Sequence, residues 1–141
     1  MKKILDLPCK DKLDNSTAFI CRFREWLGEG YDLLIWYRDT EEKCHYFQSY
    51  MGETLDKEST PKVIIHEDIS SQIFDKFLES LTQNGILEFQ MDENPKIMNN
   101  YNDYYFVRMK DGRSNCFHLL HGYHSDPRFT KIKDIIYQNM M

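Results

Sequence analysis

Two apolar, aromatic runs meet at an Asp-Gly pair in the stretch YYFVRMKDGRSNCFHLLHGYH, residues 104–124. Asp-Gly favours a two-residue hairpin turn, because both central residues of a type I′ turn need a positive φ. With Asp111 and Gly112 in that turn, we predict that Tyr105 lies opposite His118 in the middle of a β-sheet. This register would place one apolar set on the core face of the sheet: Tyr104, Phe106, Phe117 and Leu119.

Two other segments carry the 3.6-residue spacing of amphipathic helices. In residues 69–81, Ser70 is placed as the N-cap and Asn84-Gly85 as the left-handed stop. In residues 126–140, Asp126 is the predicted cap and Pro127 suits the first helical position, where a missing N–H costs nothing. The predicted buried stripes are Ile69, Ile73, Phe74, Phe77, Leu78 and Leu81, and then Phe129, Ile132, Ile135, Ile136 and Met140.

The segment 15–27 fits two kinds of secondary structure. Apolar residues recur there at helical spacing, with cap-type residues before them and a glycine after them. The alternation of Phe19, Cys21 and Phe23 would fit a strand instead. We favour a helix, because the last apolar residues of the segment extend only the helical pattern.

The remaining periodic segments predict strands. Residues 31–37 and 44–51 are rich in strand formers and flank a polar loop, which indicates a hairpin. Residues 62–66 are apolar without alternation, which is typical of a central strand, and residues 86–89 form a short strand. The fold class that follows is α+β: an antiparallel or mixed sheet of about five to six strands with two to three helices packed on one face.

Length and composition predict one folded domain, residues 1–141, because a 14% aromatic content argues against disorder. No apolar run approaches the ~20 residues of a membrane helix, and the N-terminal run is too short for a secretion signal. The four cysteines show no Cys-x-x-Cys spacing, which favours free thiols in a reducing cytoplasm. The single alanine and the many Lys, Ile and Asn residues are typical of a low-GC bacterial or phage genome.

Acidic residues concentrate in the middle of the chain. The whole sequence has a formal net charge of −5, and residues 41–93 alone hold four basic and twelve acidic side chains. Negative charge on this scale argues against nucleic-acid binding, since phosphate groups need basic contacts. It favours a basic partner by electrostatic complementarity.

Metal-capable side chains cluster at the exit of the predicted hairpin, beyond Cys116. His121, His124 and Asp126 surround a flexible glycine and could converge on a metal ion that prefers nitrogen and oxygen ligands. His118 is not expected to join them, because side chains alternate along a strand and His118 and His121 would point to opposite faces.

Aromatic and basic residues on the hairpin form a second candidate site. Tyr105, Arg108, His118 and Tyr123 are the residues that we select as candidates for binding, since tyrosine rings near an arginine can stack on a base or another small ring. The competing interpretation is that these tyrosines pack their rings into the sheet and leave their hydroxyls in water.

No phosphate-binding glycine loop, Gly-x-Ser-x-Gly or His-Glu-x-x-His motif occurs in the sequence, and we predict no cofactor. The leading hypothesis is a non-enzymatic protein–protein interaction module, for example an inhibitor or immunity-type protein, that binds a basic partner through acidic loops or a sheet face. Two alternatives stay open: a small metal-binding or hydrolytic enzyme that uses the Cys/His cluster at residues 116–126, and a small-ligand-binding module with an aromatic pocket near Tyr105. A homo-oligomer is compatible with all three.

Overall fold

The described part of the chain forms a six-stranded antiparallel sheet with three helices, which confirms the predicted α+β class. The computed structural model describes residues 7–26, 30–52, 61–90, 101–119, 124 and 126–140. The helices are α1 (Lys10–Asp14), α2 (Ser71–Gln83) and α3 (Phe129–Met140). The strands are β1 (Ser16–Trp26), β2 (Tyr31–Asp39), β3 (Cys44–Met51), β4 (Lys62–Ile69), β5 (Tyr101–Arg108) and β6 (Ser114–Leu119). No helix in these ranges is long and apolar enough to cross a membrane.

Both faces of the central strands are buried. The strand order is β4-β3-β2-β1-β5-β6, so β1 and β2 lie in the centre. One face packs against α2 and α3, where Trp36, Phe77 and Ile132 belong to one apolar cluster. The other face packs against α1 and the residues before it, through Leu13 and Leu7. We call these the helix-covered face and the opposite face.

The two helices predicted from apolar stripes are confirmed, but α3 begins at Phe129, so Pro127 precedes the helix and does not occupy its first position. Helix α2 begins after Ser70, whose Oγ accepts a hydrogen bond from the Ile73 N–H at 3.1 Å, and Gly85 follows its end with a φ of 87°. Two residues of the predicted stripe do not belong to it: Ile69 is the last residue of β4, and Ile73 is exposed. The side chain of Met140 lies outside the described residues. The buried residues of the two stripes are Phe74, Phe77, Leu78, Leu81, Phe129, Ile132, Ile135 and Ile136.

The helix predicted for residues 15–27 is wrong, because this segment is the central strand β1. It pairs with β2 along one edge and with β5 along the other. Phe19 and Cys21 are buried on the opposite face, and Ile20 between them is buried on the helix-covered face. A strand that is buried on both faces has no clean apolar alternation, so its composition can imitate helical spacing.

The β5–β6 hairpin forms where predicted but with a register shifted by one residue. Its loop has three residues: the Met109 N–H donates to the Arg113 carbonyl at 2.7 Å, and Gly112 takes a φ of 93°. A type I turn followed by a left-handed glycine gives this longer loop. The predicted core set is therefore divided, since Phe117 and Leu119 lie on the helix-covered face and Tyr104 and Phe106 on the opposite one. Tyr105 is opposite Phe117, and His118 is opposite Tyr104.

Two short apolar segments also differ from their predictions. The run 62–66 belongs to β4, which lies at the edge of the sheet and pairs, among the described strands, with β3 alone. The segment predicted as a strand at residues 86–89 instead contains a 3₁₀ helix, Ile86–Glu88. It packs beside β6, where the Asn115 side-chain amide donates to the carbonyl oxygens of Ile86 and Phe89, each at 2.9 Å.

Two glycines with positive φ provide a matched pair for mutagenesis. Gly85→Ala and Gly112→Ala should each cost about 1–2 kcal/mol, because a Cβ is disfavoured in the left-handed region. At Gly85 the new Cβ would also clash with the Arg128 guanidinium, whereas at Gly112 no heavy atom lies within 4 Å of it. In urea titrations we expect Gly85→Ala to lose more unfolding free energy than Gly112→Ala. This difference between the two variants should disappear when Arg128 is also replaced by alanine. Equal losses at the two glycines would contradict the contact.

Candidate functional site

Tyr105, the first residue selected from the sequence, is buried on the helix-covered face. Its ring stacks on Phe117 with centroids 5.2 Å apart and planes inclined by 8°. Burial raises the pKa of the Tyr105 phenol, so its hydroxyl stays protonated at neutral pH. Tyr105 lies in the wall of a cavity and is therefore placed to contact a bound group there.

Arg108 and His118 lie on the opposite face, away from Tyr105. The Arg108 guanidinium sits 4.8 Å above the Phe19 ring centroid and donates to the carbonyl oxygens of Leu13 at 3.1 Å and Ser16 at 2.9 Å. It thus fixes the end of α1 to the sheet. The His118 ring stacks on Tyr104 with centroids 4.8 Å apart. The structure does not bring Tyr105, Arg108 and His118 to one site.

The candidate metal ligands are described only in part, because His121, like Tyr123, lies outside the described residues. His124 Nδ1 accepts a hydrogen bond from the Asp126 N–H at 2.9 Å, and its Nε2 contacts the Gln90 carbonyl oxygen. Both ring nitrogens are thus used by the backbone. Among the described residues, no three His, Cys, Asp or Glu side chains converge in a way that could hold a metal. The three-ligand set stays a prediction.

Asp126 precedes α3 and is bound by Arg128. Its Oδ2 accepts from Arg128 Nη2 at 2.7 Å, and its Oδ1 accepts from the Arg128 backbone N–H at 3.0 Å. The Arg128 guanidinium holds the pKa of Asp126 down at about 2. The carboxylate therefore has a structural role at the start of the helix.

The lowered pKa of Asp126 predicts a pH dependence of stability. Because the pKa is lower in the folded state than the unfolded value of about 3.9, the ionised carboxylate stabilises the fold above about pH 4, and this stabilisation is lost as the pH falls toward 2. Asp126→Asn keeps an acceptor for the backbone, so the difference in unfolding free energy between wild type and variant should shrink over that range. Urea titrations at several pH values measure it, with Asp134→Asn on the same helix as the control. If the difference in unfolding free energy between wild type and Asp126→Asn stayed constant with pH, the ionised Asp126 would not be the stabilising group.

The cavity beside Tyr105 is lined by charged groups. It has a volume of about 40 Å³ and lies between β1, β5 and α3. Arg22 and Arg24 come from β1, Asp103 from β5 and Lys133 from α3, and apolar side chains of β6 and α3 complete the wall. The pairing of β1 with β5 sets this arrangement, because Arg22 lies opposite Tyr105 and Arg24 opposite Asp103.

Two ion pairs organise the charges around this cavity. Arg24 donates through Nε and Nη2 to both oxygens of Asp103, at 2.8 and 3.0 Å. Arg22 donates through Nη2 to Asp32 at 2.6 Å, and Gln48 donates to the other oxygen of Asp32. Arg22 and Asp103 are only 5% and 3% exposed, so both charges depend on their partners. Arg22 Nε is buried and has no hydrogen-bond partner among the described residues.

A second candidate feature is the outer edge of β4. Val63 and Ile64 on this strand are 61% and 52% exposed, although both are apolar. Gln48 pairs with Ile65 and Ser49 with Val63, so Ile64 is an extra residue in β4 and forms a bulge. The residues from Ile65 to the end of the strand keep a regular register and include the acidic pair Glu67 and Asp68.

A histidine connects this edge to the β2–β3 turn. His45 Nε2 lies 2.8 Å from Oδ2 of Asp39, and its Nδ1 lies 3.0 Å from Oδ1 of Asp68. The hydrogen bond from His45 is the largest cause that lowers the pKa of Asp39. Tyr37 stacks on the imidazole with centroids 4.8 Å apart. The second half of β4 is thereby anchored to the sheet, with Asp68 presented to solvent.

Neither the charged cavity nor the open edge was predicted from the sequence. The available signal for the cavity is the spacing of Arg22 and Arg24, two residues apart in an apolar run, which places both on one face of a strand. Asp103 is 79 residues away from Arg24 and carries no local signal. The signal for the edge is the charged ending of the apolar run, at Glu67 and Asp68. Comparison with known proteins adds no assignment: no family model and no curated protein matches this chain.

Proposed function

We propose that this protein is a cytoplasmic, non-enzymatic interaction module that binds an extended segment of a basic partner protein along the outer edge of β4. The observation that carries the proposal is the exposure of Val63 and Ile64 on an edge strand. The free thiols of all four cysteines suit a reducing compartment. An inhibitor or immunity-type protein would use such a contact to cover a surface of its partner.

The backbone of an edge strand supports this mode of binding. An edge presents a row of unpaired N–H and C=O groups, to which an extended peptide can add as a further strand. At the other edge of the sheet, β6 has the segment 86–89 packed beside it. At β4, no described strand pairs with the outer side. The main-chain hydrogen bonds would supply affinity, and the exposed side chains of Val63 and Ile64 would supply apolar contact.

The charges on β4 support a basic partner. Glu67 and Asp68 are exposed in the regular part of the strand, and they belong to the acidic middle of the chain, residues 41–93. The sheet faces, the other surface considered for partner binding, are covered on the central strands by the two apolar clusters. Among the described residues, the outer edge of β4 is thus the part of the sheet that supports contact with a partner.

Charge reversal tests the proposal. The partner is first captured from the native cell on the full chain and identified, and its affinity is then measured with Glu67→Lys and with Asp134→Lys, an exposed matched control on α3. We expect about tenfold weaker binding for Glu67→Lys and a loss that shrinks with added salt, because reversal turns attraction into repulsion at the contact. Asp134→Lys should bind like wild type.

Two outcomes would overturn the proposal. Equal effects of Glu67→Lys and Asp134→Lys would show that overall charge, and not the edge, determines binding. A particle of twice the 17.0 kDa chain mass that dissociates on Ile64→Asp would show instead that β4 pairs with a second copy of this chain.

A further inference from the structure

We propose that the segment bound at the outer edge of β4 runs antiparallel to this strand and carries, from its N-terminal end, an apolar residue, two basic residues, any residue and a second apolar residue. This inference rests on the function proposed above, and it names the chemistry of the partner segment. Three observations carry it: the direction of the backbone groups on β4, the face on which each side chain lies, and the charges of Glu67 and Asp68.

The backbone groups that point outward from the regular part of β4 belong to His66 and Asp68. In the β2–β3 hairpin the Asp39 N–H donates to the Lys43 carbonyl oxygen at 2.8 Å, which starts the alternation of hydrogen-bonded pairs. Carried across β3, this alternation directs the N–H and C=O groups of the odd-numbered residues in 65–69 toward β3, and those of the even-numbered residues outward. An added strand would form its main-chain hydrogen bonds there.

The direction of the added strand follows from the sheet. All strand pairs of the described sheet are antiparallel, and antiparallel pairing is slightly more stable per residue than parallel pairing. Strand β4 ends at Ile69, so the first residues of an antiparallel segment face Ile69 and the later ones face Ile65. The bulge at Ile64 ends this regular register on the N-terminal side.

The odd-numbered residues of this part of β4 lie on the helix-covered face. Ile65 and Ile69 pack against the apolar cluster of that face but are only partly buried. Glu67 pairs with Tyr46, a member of the same cluster, and is itself exposed. Side chains directly opposite each other in a sheet have Cβ atoms about 5 Å apart, and opposite charges in such pairs attract. The segment therefore places apolar residues opposite the two isoleucines and a basic residue opposite Glu67.

Asp68 lies on the other side of the strand and specifies the second basic residue. It pairs with His45 on the opposite face, where its Oδ1 lies 3.0 Å from His45 Nδ1. The Asp68 side chain is still 86% exposed and can therefore also contact a cation on an added strand. The ring of His66 packs against Phe47, and its Nε2 lies 3.3 Å from the Tyr37 hydroxyl, so the residue opposite His66 has no charge preference. The two basic residues are thus neighbours whose side chains point to opposite faces.

Peptide selection tests this order of residues. Random short peptides displayed on phage are selected on the full chain and, separately, on Glu67→Lys, Asp68→Lys and the exposed control Asp134→Lys. Wild type and Asp134→Lys should select the order apolar-basic-basic-x-apolar. Glu67→Lys should turn the second basic position into an acidic one, and Asp68→Lys the first, because like charges directly opposite each other repel.

A synthetic peptide with the selected sequence gives the size of each contact. Replacing its second basic residue by glutamine should weaken binding to wild type about threefold and should make no difference to binding by Glu67→Gln. In NMR spectra of the full chain, the backbone amide signals of His66 and Asp68 should shift most on binding, because their N–H groups point outward.

Three results of the selection would overturn the inference. The reversed order apolar-x-basic-basic-apolar would show parallel pairing. A change at the same peptide position for Glu67→Lys and Asp68→Lys, or a selection without a shared sequence, would show that the two faces are not recognised separately. Partner binding at the edge would still hold in these cases if Glu67→Lys weakened binding of the captured partner. Peptide binding that leaves the amide signals of His66 and Asp68 unchanged would contradict strand addition itself, and with it both proposals.

Discussion

Replacing Phe77 by aspartate is expected to unfold the protein. Phe77 is buried on the inner side of α2, and its ring meets the edge of Trp36 with centroids 4.9 Å apart. Loss of a buried phenylalanine costs about 3–5 kcal/mol, and the unpaired carboxylate adds a further penalty. The sum approaches the whole stability of a typical domain, about 5–15 kcal/mol.

The matched control lies one turn earlier in the same helix. Ile73→Asp introduces the same charge at an exposed position, where substitutions usually change stability by about 0.5 kcal/mol or less. Circular dichroism during thermal and urea unfolding compares the two variants. Similar melting temperatures for Phe77→Asp and Ile73→Asp would contradict the packing of α2 on the sheet.

The second large effect is expected at Asp103, the buried carboxylate of the charged cavity. Asp103→Ala should destabilise the fold by about 3–5 kcal/mol, because it leaves the Arg24 guanidinium without its bidentate carboxylate. Replacing both partners, as Arg24→Met with Asp103→Leu, should cost less than Asp103→Ala alone. An apolar pair of similar volume leaves no buried charge to compensate.

An exposed ion pair provides the reference for Asp103. On α1, Lys10 Nζ lies 3.7 Å from Asp14 Oδ2, and both side chains are about half exposed. Asp14→Ala should therefore lower the unfolding free energy by about 1 kcal/mol or less. Urea titrations of the single variants and the double variant measure all these differences. If Asp103→Ala cost no more than Asp14→Ala, the buried ion pair would not be formed.

Local signals account for the parts of the fold that could be predicted from the sequence. Helix α2 has its cap, its stripe and its glycine stop within one continuous segment, and the structure contains the cap, the stop and four of the six predicted stripe residues. The class of the fold followed from such elements. The central strand β1 imitates a helix in sequence because both of its faces are buried, one against α2 and α3 and the other against α1. Its pairing with β2 and β5 depends on residues elsewhere in the chain.

The features that could not be predicted from the sequence depend on how the strands pair. The extra residue in the β5–β6 loop makes Tyr104, and not Tyr105, the neighbour of His118, and this change separates Tyr105 from His118. Arg24 meets Asp103 only through the β1–β5 register. The apolar run in β4 resembled a buried strand, and its exposure became visible only when the sheet order placed it at an edge.

Site-specific photocrosslinking tests the role of β4 most directly. A photoreactive amino acid is placed at Ile64 or at Ile73, two apolar residues that are 52% and 56% exposed on different surfaces, and the full chain is irradiated in its native cell. We predict a crosslink to one basic protein from position 64 and none to that protein from position 73. A crosslink of equal yield from both positions, or an adduct of two copies of this chain, would contradict the account.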